Sequence, residues 1–139
     1  MKIFMACAFL LALWHPFSQE PKKAAEEKAS TDSKPAPEAA KMVNPSKPTA
    51  TSIATGKKAY QSDCAMCHGK EGGGDGDLAA DMKLKLRDYR DAAVLKDMSD
   101  ADLYSIIANG KGQMTGEEGR MKPDQVWDVV NYVRSLAKK

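Results

Sequence analysis

Apolar residues near the end of the chain recur every three or four positions, at Val126, Val129, Val130, Val133, Leu136 and Ala137. That spacing lines them along one face of an α-helix. Trp127 and Tyr132 widen the face, Pro123 suits the first helical position, and Met121 with Val126 can bracket the start as a hydrophobic staple. Lys122 is then the N-cap, a residue type that predicts a slightly weakened start. A second stripe, Leu103, Ile106 and Ile107, follows Ser99 as N-cap and an acidic first turn at Asp100 and Asp102. Asn109-Gly110 ends it, glycine suiting a left-handed cap. Residues 91–97 predict a short helix before it. Further upstream a helix is expected from Ser52 through Ile53, Tyr60 and Gln61. Gly56 lies inside it at a cost of roughly 1 kcal/mol against alanine, which points to close approach by another helix. Residues 69–76 carry too much glycine for helix or strand. Met82, Leu84 and Leu86 alternate with basic residues up to Arg90, but no partner strand is evident, so this segment reads as an extended loop.

The pattern changes before residue 52. Residues 3–14 are an apolar run behind Lys2, about a dozen positions long, too short to span a bilayer comfortably as a helix. Residues 1–19 therefore read as an export signal or a retained N-terminal anchor; His15-Pro16-Phe17-Ser18-Gln19 offers no clean small-x-small cleavage site. Residues 20–51 are rich in Ala, Lys, Pro, Glu, Ser and Thr, with Met42 and Val43 almost the only large apolar side chains. They read as a disordered mixed-charge linker that cannot offset its ordering entropy. Residues 52–139 are the one folded domain. The whole chain carries a net charge of +2, too little to argue for nucleic acid or an anionic membrane surface. From Ile53 onward 10 Lys and 4 Arg face 11 Asp and 3 Glu, so electrostatic docking has to come from an uneven distribution of charge.

The chemistry is concentrated in Cys64-Ala65-Met66-Cys67-His68, a C-x-x-C-H pattern of the kind that attaches haem covalently. Thiols at i and i+3 in a tight turn can add to the two vinyl groups along one porphyrin edge while the next side chain reaches the iron. A zinc site needs four ligands, and the only other Cys and His are Cys7 and His15 in the leader. A thioredoxin-like dithiol calls for a βαβ context, and almost no strand pattern surrounds the motif. The loop after it, Gly69-Lys70-Glu71, also fails as a phosphate cradle, which needs Gly-Lys-Ser/Thr.

The flanks add a resemblance. Gly56, Tyr60, Cys64, Cys67, His68 and Gly69, then Ile106, Ile107, Gly110 and Met114, then Val130, Tyr132, Val133 and Leu136 together resemble a small class I c-type cytochrome, over about residues 52–139. The resemblance implies an all-α fold, a few helices wrapped around one covalent haem c and preceded by the disordered linker. It implies thioethers at Cys64 and Cys67, with His68 as proximal iron ligand. It also implies that the helix containing Gly56 crosses the last helix, the glycine meeting Tyr132 and Tyr60 filling the gap beside it. Relatives often carry a proline after the glycine loop whose carbonyl orients the histidine. None occurs here between Gly69 and Lys122, so the acceptor for the His68 ring N–H stays open. The leucines of residues 82–90 are expected to line the haem pocket; Lys85, Arg87 or Arg90 can pair with a haem propionate or stay solvated, and Tyr89 can donate to one or simply pack.

The group above the iron decides between electron transfer and ligand chemistry. Met42 lies in the linker, Met66 sits between the cysteines, and Met98 reads as packing beneath a helix cap. Met114 occupies the helix-glycine-loop-methionine place of the resembling family, although Thr115-Gly116 follows it where relatives usually have proline. Met121 is the runner-up, and Met82 or an open site remain. The expectation is a periplasmic monohaem electron carrier, not an enzyme, with His68 and Met114 as axial ligands. Its implied partners are a quinol-oxidising complex, a terminal oxidase or a periplasmic reductase. It is expected to be a monomer, to bind no nucleic acid, and to touch the membrane only if the leader is retained. The alternatives are a haem enzyme or gas sensor with a vacant sixth position, or the cytochrome subunit of a larger oxidoreductase complex.

Overall fold

The first helix begins earlier than Ser52 because Thr49 caps it, its Oγ1 accepting from the Ser52 N–H at 3.1 Å. The computed structural model describes residues 42–137; the leader and most of the linker, residues 1–41, lie outside them. In chain order the helices are α1 (Ala50–Asp63), α2 (Ala65–His68), α3 (Asp77–Asp81), α4 (Ala92–Leu95), α5 (Asp100–Asn109) and α6 (Pro123–Leu136). Two two-residue strands, β1 (Gly110–Lys111) and β2 (Met114–Thr115), pair antiparallel between α5 and α6, Gly110 opposite Thr115 and Lys111 opposite Met114. Among the described residues no helix is long and apolar enough to cross a membrane.

Freed from capping, Ser52 turns inward and is buried. Its Oγ donates to Asp128 Oδ1 at 2.5 Å and accepts from Asn131 Nδ2 at 2.8 Å. Asn44 Nδ2 donates to Asn131 Oδ1 (2.9 Å), Asn131 Nδ2 donates to the Ser46 carbonyl (3.0 Å), and Ser46 Oγ donates to Asp128 (3.0 Å). The domain boundary drawn at residue 52 therefore falls inside α1, and the last residues assigned to the linker are bonded to α6. Composition missed this because the segment is held by short polar side chains and buries little apolar surface.

The core forms where α1 crosses α6. A Cβ built on Gly56 would lie 1.9 Å from the Asp128 carbonyl oxygen and 2.9 Å from the Val129 nitrogen, so the glycine meets Asp128 and Val129; Tyr132, the expected neighbour, is one turn further along. There the Tyr60 and Tyr132 rings pack edge to face at 5.1 Å. Val126, Trp127, Val129, Val130, Tyr132 and Val133 of α6 are all buried, and burying each valine contributes roughly 1.5–3 kcal/mol. α5 joins through Ala101, Leu103, Ile107 and Ala108, with Tyr104 against Trp127 at 4.3 Å.

The helix starts follow the sequence. Ser99 and Asp102 cap α5 reciprocally, Ser99 Oγ accepting from the Asp102 N–H (3.1 Å) and Asp102 from the Ser99 N–H (2.8 Å). At α6 the poor cap Lys122 is offset by Gln125, whose side chain accepts the Lys122 N–H at 3.2 Å. Gly110 ends α5 with φ 80 and ψ 172, an extended positive-φ conformation kept for glycine, where a left-handed cap was expected. Arg134 fastens α6 to the preceding segment: Nε bonds Asp100 Oδ1 (2.8 Å), Nη1 bonds the Leu95 carbonyl (2.8 Å), and Nη2 donates to the Met98 carbonyl. The short helix α3 was not expected; five residues between a glycine run and an alternating segment show no readable period.

Candidate functional site

Between Tyr60 and Leu95 the only fully buried apolar residue is Ala79. Cys64, Cys67, His68, Leu78, Leu84, Leu86, Tyr89 and Val94 are all half-buried. About thirty residues thus fold against the helical core without closing one of their own, and the motif sits at their head.

Its geometry comes from a single helical turn. The Cys64 N–H still bonds Tyr60 O (2.9 Å), ending α1, and Cys64 O then accepts from Cys67 (3.2 Å) and His68 (2.9 Å) as α2 winds up. Residues three and four apart on a helix share a face, so both thiols and the imidazole come from one turn. Gly69 stops the turn at φ 76, where a Cβ would fall 2.1 Å from Asp75 Oδ1. The glycine loop then folds back: Gly74 N–H bonds His68 O (2.8 Å), Gly76 N–H bonds Cys67 O (3.1 Å), and the buried Tyr60 hydroxyl donates to Gly69 O at 2.9 Å.

Cys64 and Cys67 are both half-buried and form no disulfide. Burial, then Glu117 and Asp63, pushes the Cys64 thiol up to about 12, so it stays uncharged at neutral pH; a thioether, which has no proton to lose, suits the same place. Burial lowers the His68 pKa and keeps the ring neutral, the state in which imidazole ligates metals. His68 Nδ1 is sealed without a hydrogen-bond partner, while Nε2 is not among the sealed atoms. Two alkylatable thiols, a neutral imidazole with an accessible nitrogen, and an unclosed apolar lining fit an iron porphyrin. They do not fit zinc: among the described residues no three His, Cys, Asp or Glu side chains gather as a metal site.

Of the candidate methionines, Met42, Met66 and Met82 are exposed, whereas Met98, Met114 and Met121 pack against the core. Met98 Sδ lies 3.5 Å from Arg87 Nη1. Met121 stands beside the N-terminus of α6 and, with Tyr104 and Val126, lines a cavity of about 340 Å³. Met114 is presented by the β1–β2 hairpin, whose tightness depends on glycine: a Cβ on Gly110 would meet Met114 O at 2.3 Å, and one on Gly116 would meet Ala108 O at 2.4 Å.

Three features were not legible in the sequence. Glu117, beyond the hairpin, is buried, 3.5 Å from Arg120 Nε, and Arg120 in turn lies 3.9 Å from Asp63. Arg90 is taken by Asp88 through two bonds of 2.7 and 2.8 Å, leaving Lys83, Lys85 and Arg87 as the exposed cations of that loop. The Tyr89 ring lies along the His68 imidazole, centroids 5.2 Å apart and planes 24° from parallel.

A helical core that leaves one segment uncovered, with thioether-forming thiols at that segment's head, defines the class: small helical haemoproteins of the c type. The sequence profile of cytochrome c matches residues 53–137. Cytochrome c6 of Limnospira maxima is 33% identical over 90 residues, which are 63% of this chain and 96% of that protein. Among solved structures, the c-type cytochrome KustC0563 matches with a TM-score of 0.54 at 28% identity, covering 60% of this chain and 98% of that one. A chain of the Kuenenia stuttgartiensis reducing HAO-like protein complex Kustc0457/Kustc0458 matches with a TM-score of 0.58 at 30% identity, covering 68% and 47% respectively. The chain belongs to the cytochrome c family. It binds haem c covalently and is a monohaem electron carrier that works with redox partners.

Proposed function

We propose that Cys64 and Cys67 hold the haem by thioether bonds, that His68 and Met114 are its axial iron ligands, and that the protein shuttles single electrons in the periplasm. The observation that carries this reading is the one-turn grouping of both thiols with a neutral imidazole, beside apolar side chains that the protein leaves half-covered. When bound, the haem supplies the redox couple, the iron gaining or losing one electron while the chain forms no bond to a substrate. The residues keep that centre in place. α2 and its returning glycine loop hold the proximal side, and the β1–β2 hairpin holds the thioether of Met114, a ligand that raises the reduction potential and blocks small molecules. Lys2 and the apolar run behind it support export; if that run is retained, the linker tethers the domain to the membrane. A quinol-oxidising complex, a terminal oxidase or a periplasmic reductase is the partner class this role calls for.

The test is a reduced-minus-CO difference spectrum of the exported holoprotein at neutral pH. A six-coordinate carrier gives no rapid CO difference and titrates reversibly with one electron. Rapid CO binding contradicts the Met114 ligation and favours a sensor or enzyme with an open position. A second reading, a cytochrome subunit of a larger oxidoreductase, is supported by the likeness to a chain of the HAO-like complex; co-purification of a stable partner would favour it over the free carrier.

A further inference from the structure

The His68 ring is sealed on its Nδ1 side with no acceptor, and four carbonyls of the surrounding loop already accept bonds of their own. His68 O accepts from Gly74, Cys67 O from Gly76, Gly69 O from both Gly72 N–H and the Tyr60 hydroxyl, and Gly72 O from the Tyr89 N–H at 2.8 Å. Each is committed to holding the loop closed. The proline whose carbonyl would ordinarily be offered here is missing from the sequence between Gly69 and Lys122.

Something else must then stop the imidazole from rotating about its side-chain bonds, and one neighbour is built to do so. Tyr89 stacks on the ring at 5.2 Å with the planes 24° apart, within the offset-stacked range favoured by aromatic pairs. Its backbone is tied through that N–H to Gly72 of the same loop. Gly72 has φ 78, and a Cβ there would come 3.4 Å from Tyr89 Cβ and 2.7 Å from Leu136 Cδ1. A side chain at 72 would therefore press on the tyrosine that faces the histidine.

We propose that Tyr89 is the positioning residue of the proximal ligand: stacking on His68, braced by Gly72, sets the plane of the imidazole in place of a hydrogen bond from Nδ1–H, and the histidine ligates with that N–H unbonded. The proposal rests on the reading of His68 as axial ligand. An acceptor on Nδ1–H makes a histidine more basic and a stronger donor to its metal. Without one, His68 stabilises the oxidised iron less, so the potential lies higher than in an otherwise equal site with an acceptor.

The test is NMR of the full-length holoprotein labelled with 15N-histidine and 13C-carbonyl. In the reduced state, ring protons of His68 shifted strongly upfield by the porphyrin ring current identify the ligand independently of its hydrogen bonding. The Nδ1–H is then expected to show no scalar coupling to any backbone carbonyl carbon. In the oxidised state the order of the haem-methyl resonances reports the imidazole plane. Tyr89→Phe, which keeps the stack, retains the wild-type order, and Tyr89→Leu, which keeps bulk without the flat face, changes it. A coupling from Nδ1–H to a carbonyl, or an unchanged methyl order in Tyr89→Leu, overturns the proposal while leaving His68 as ligand. Unshifted His68 ring protons overturn both.

Discussion

Met114 and Met121 belong to the same connection between α5 and α6, and their surroundings assign them different work. Met121 precedes the N-cap of α6 and shares a cavity wall with Val126, the arrangement of a hydrophobic staple. Met114 is carried on a hairpin that two glycines keep tight. Met114→Ala is therefore expected to lower the reduction potential by on the order of 0.1–0.3 V, within the ~0.8 V window that axial ligation spans, and to admit CO. Met121→Ala is expected to leave the potential nearly unchanged and to cost stability, by about 2–3 kcal/mol for a part-buried methionine; potentiometric titration with chemical unfolding checks both. If the two variants exchange these phenotypes, the ligand is Met121. At this scale the sequence was informative wherever chemistry requires a residue type at a fixed spacing, as at Cys64, Cys67 and His68. It was silent where a side chain acts through distant neighbours. Tyr89 stacks across twenty-one positions onto His68, and Asn131 gathers bonds from residues near 45, with no local signal for either.

The crossing of α1 and α6 is the element on which the site hangs, because Cys64 begins where α1 stops. Gly56 sets how closely the two helices approach. A methyl group there overlaps the backbone of α6 at 1.9 Å, and backbone cannot step aside as a flexible side chain can. Gly56→Ala is expected to destabilise the holoprotein by about 3 kcal/mol or more, despite alanine's better helix propensity. Denaturant unfolding measures it, and a neutral or stabilising result would show that the helices can separate freely. α6 could be read from its period, and α5 from its cap and stripe, since both bury one long face. The start of α1 and the whole of α3 could not. The first depends on a polar cluster closing against α6, and the second is packed through Gly76, where a Cβ would fall 2.3 Å from Met66 O.

Across the described residues, the fold is a helical half that closes its own core and a segment of about thirty residues that does not. The buried cluster draws its members from α1, α4, α5 and α6, while the leucines and tyrosine of residues 78–89 remain half-covered. Haem supplies the apolar mass that this segment lacks, so Cys64→Ala/Cys67→Ala protein made without haem should lose amide-exchange protection over residues 64–94 first. Native-like protection there would mean that the protein closes the segment unaided. The cofactor was legible as a motif and invisible as a pattern: hydrophobic periodicity registers what protein buries against protein, and here the missing partner is a porphyrin.

One haem is expected to be joined to this chain through the sulfurs of Cys64 and Cys67. Tandem mass spectrometry of the purified holoprotein tests this, on the proteolytic peptide containing residues 64–68. The expected result is a single haem adduct with fragment ions that locate both thioethers on those two cysteines; a peptide carrying two unmodified thiols would contradict the account.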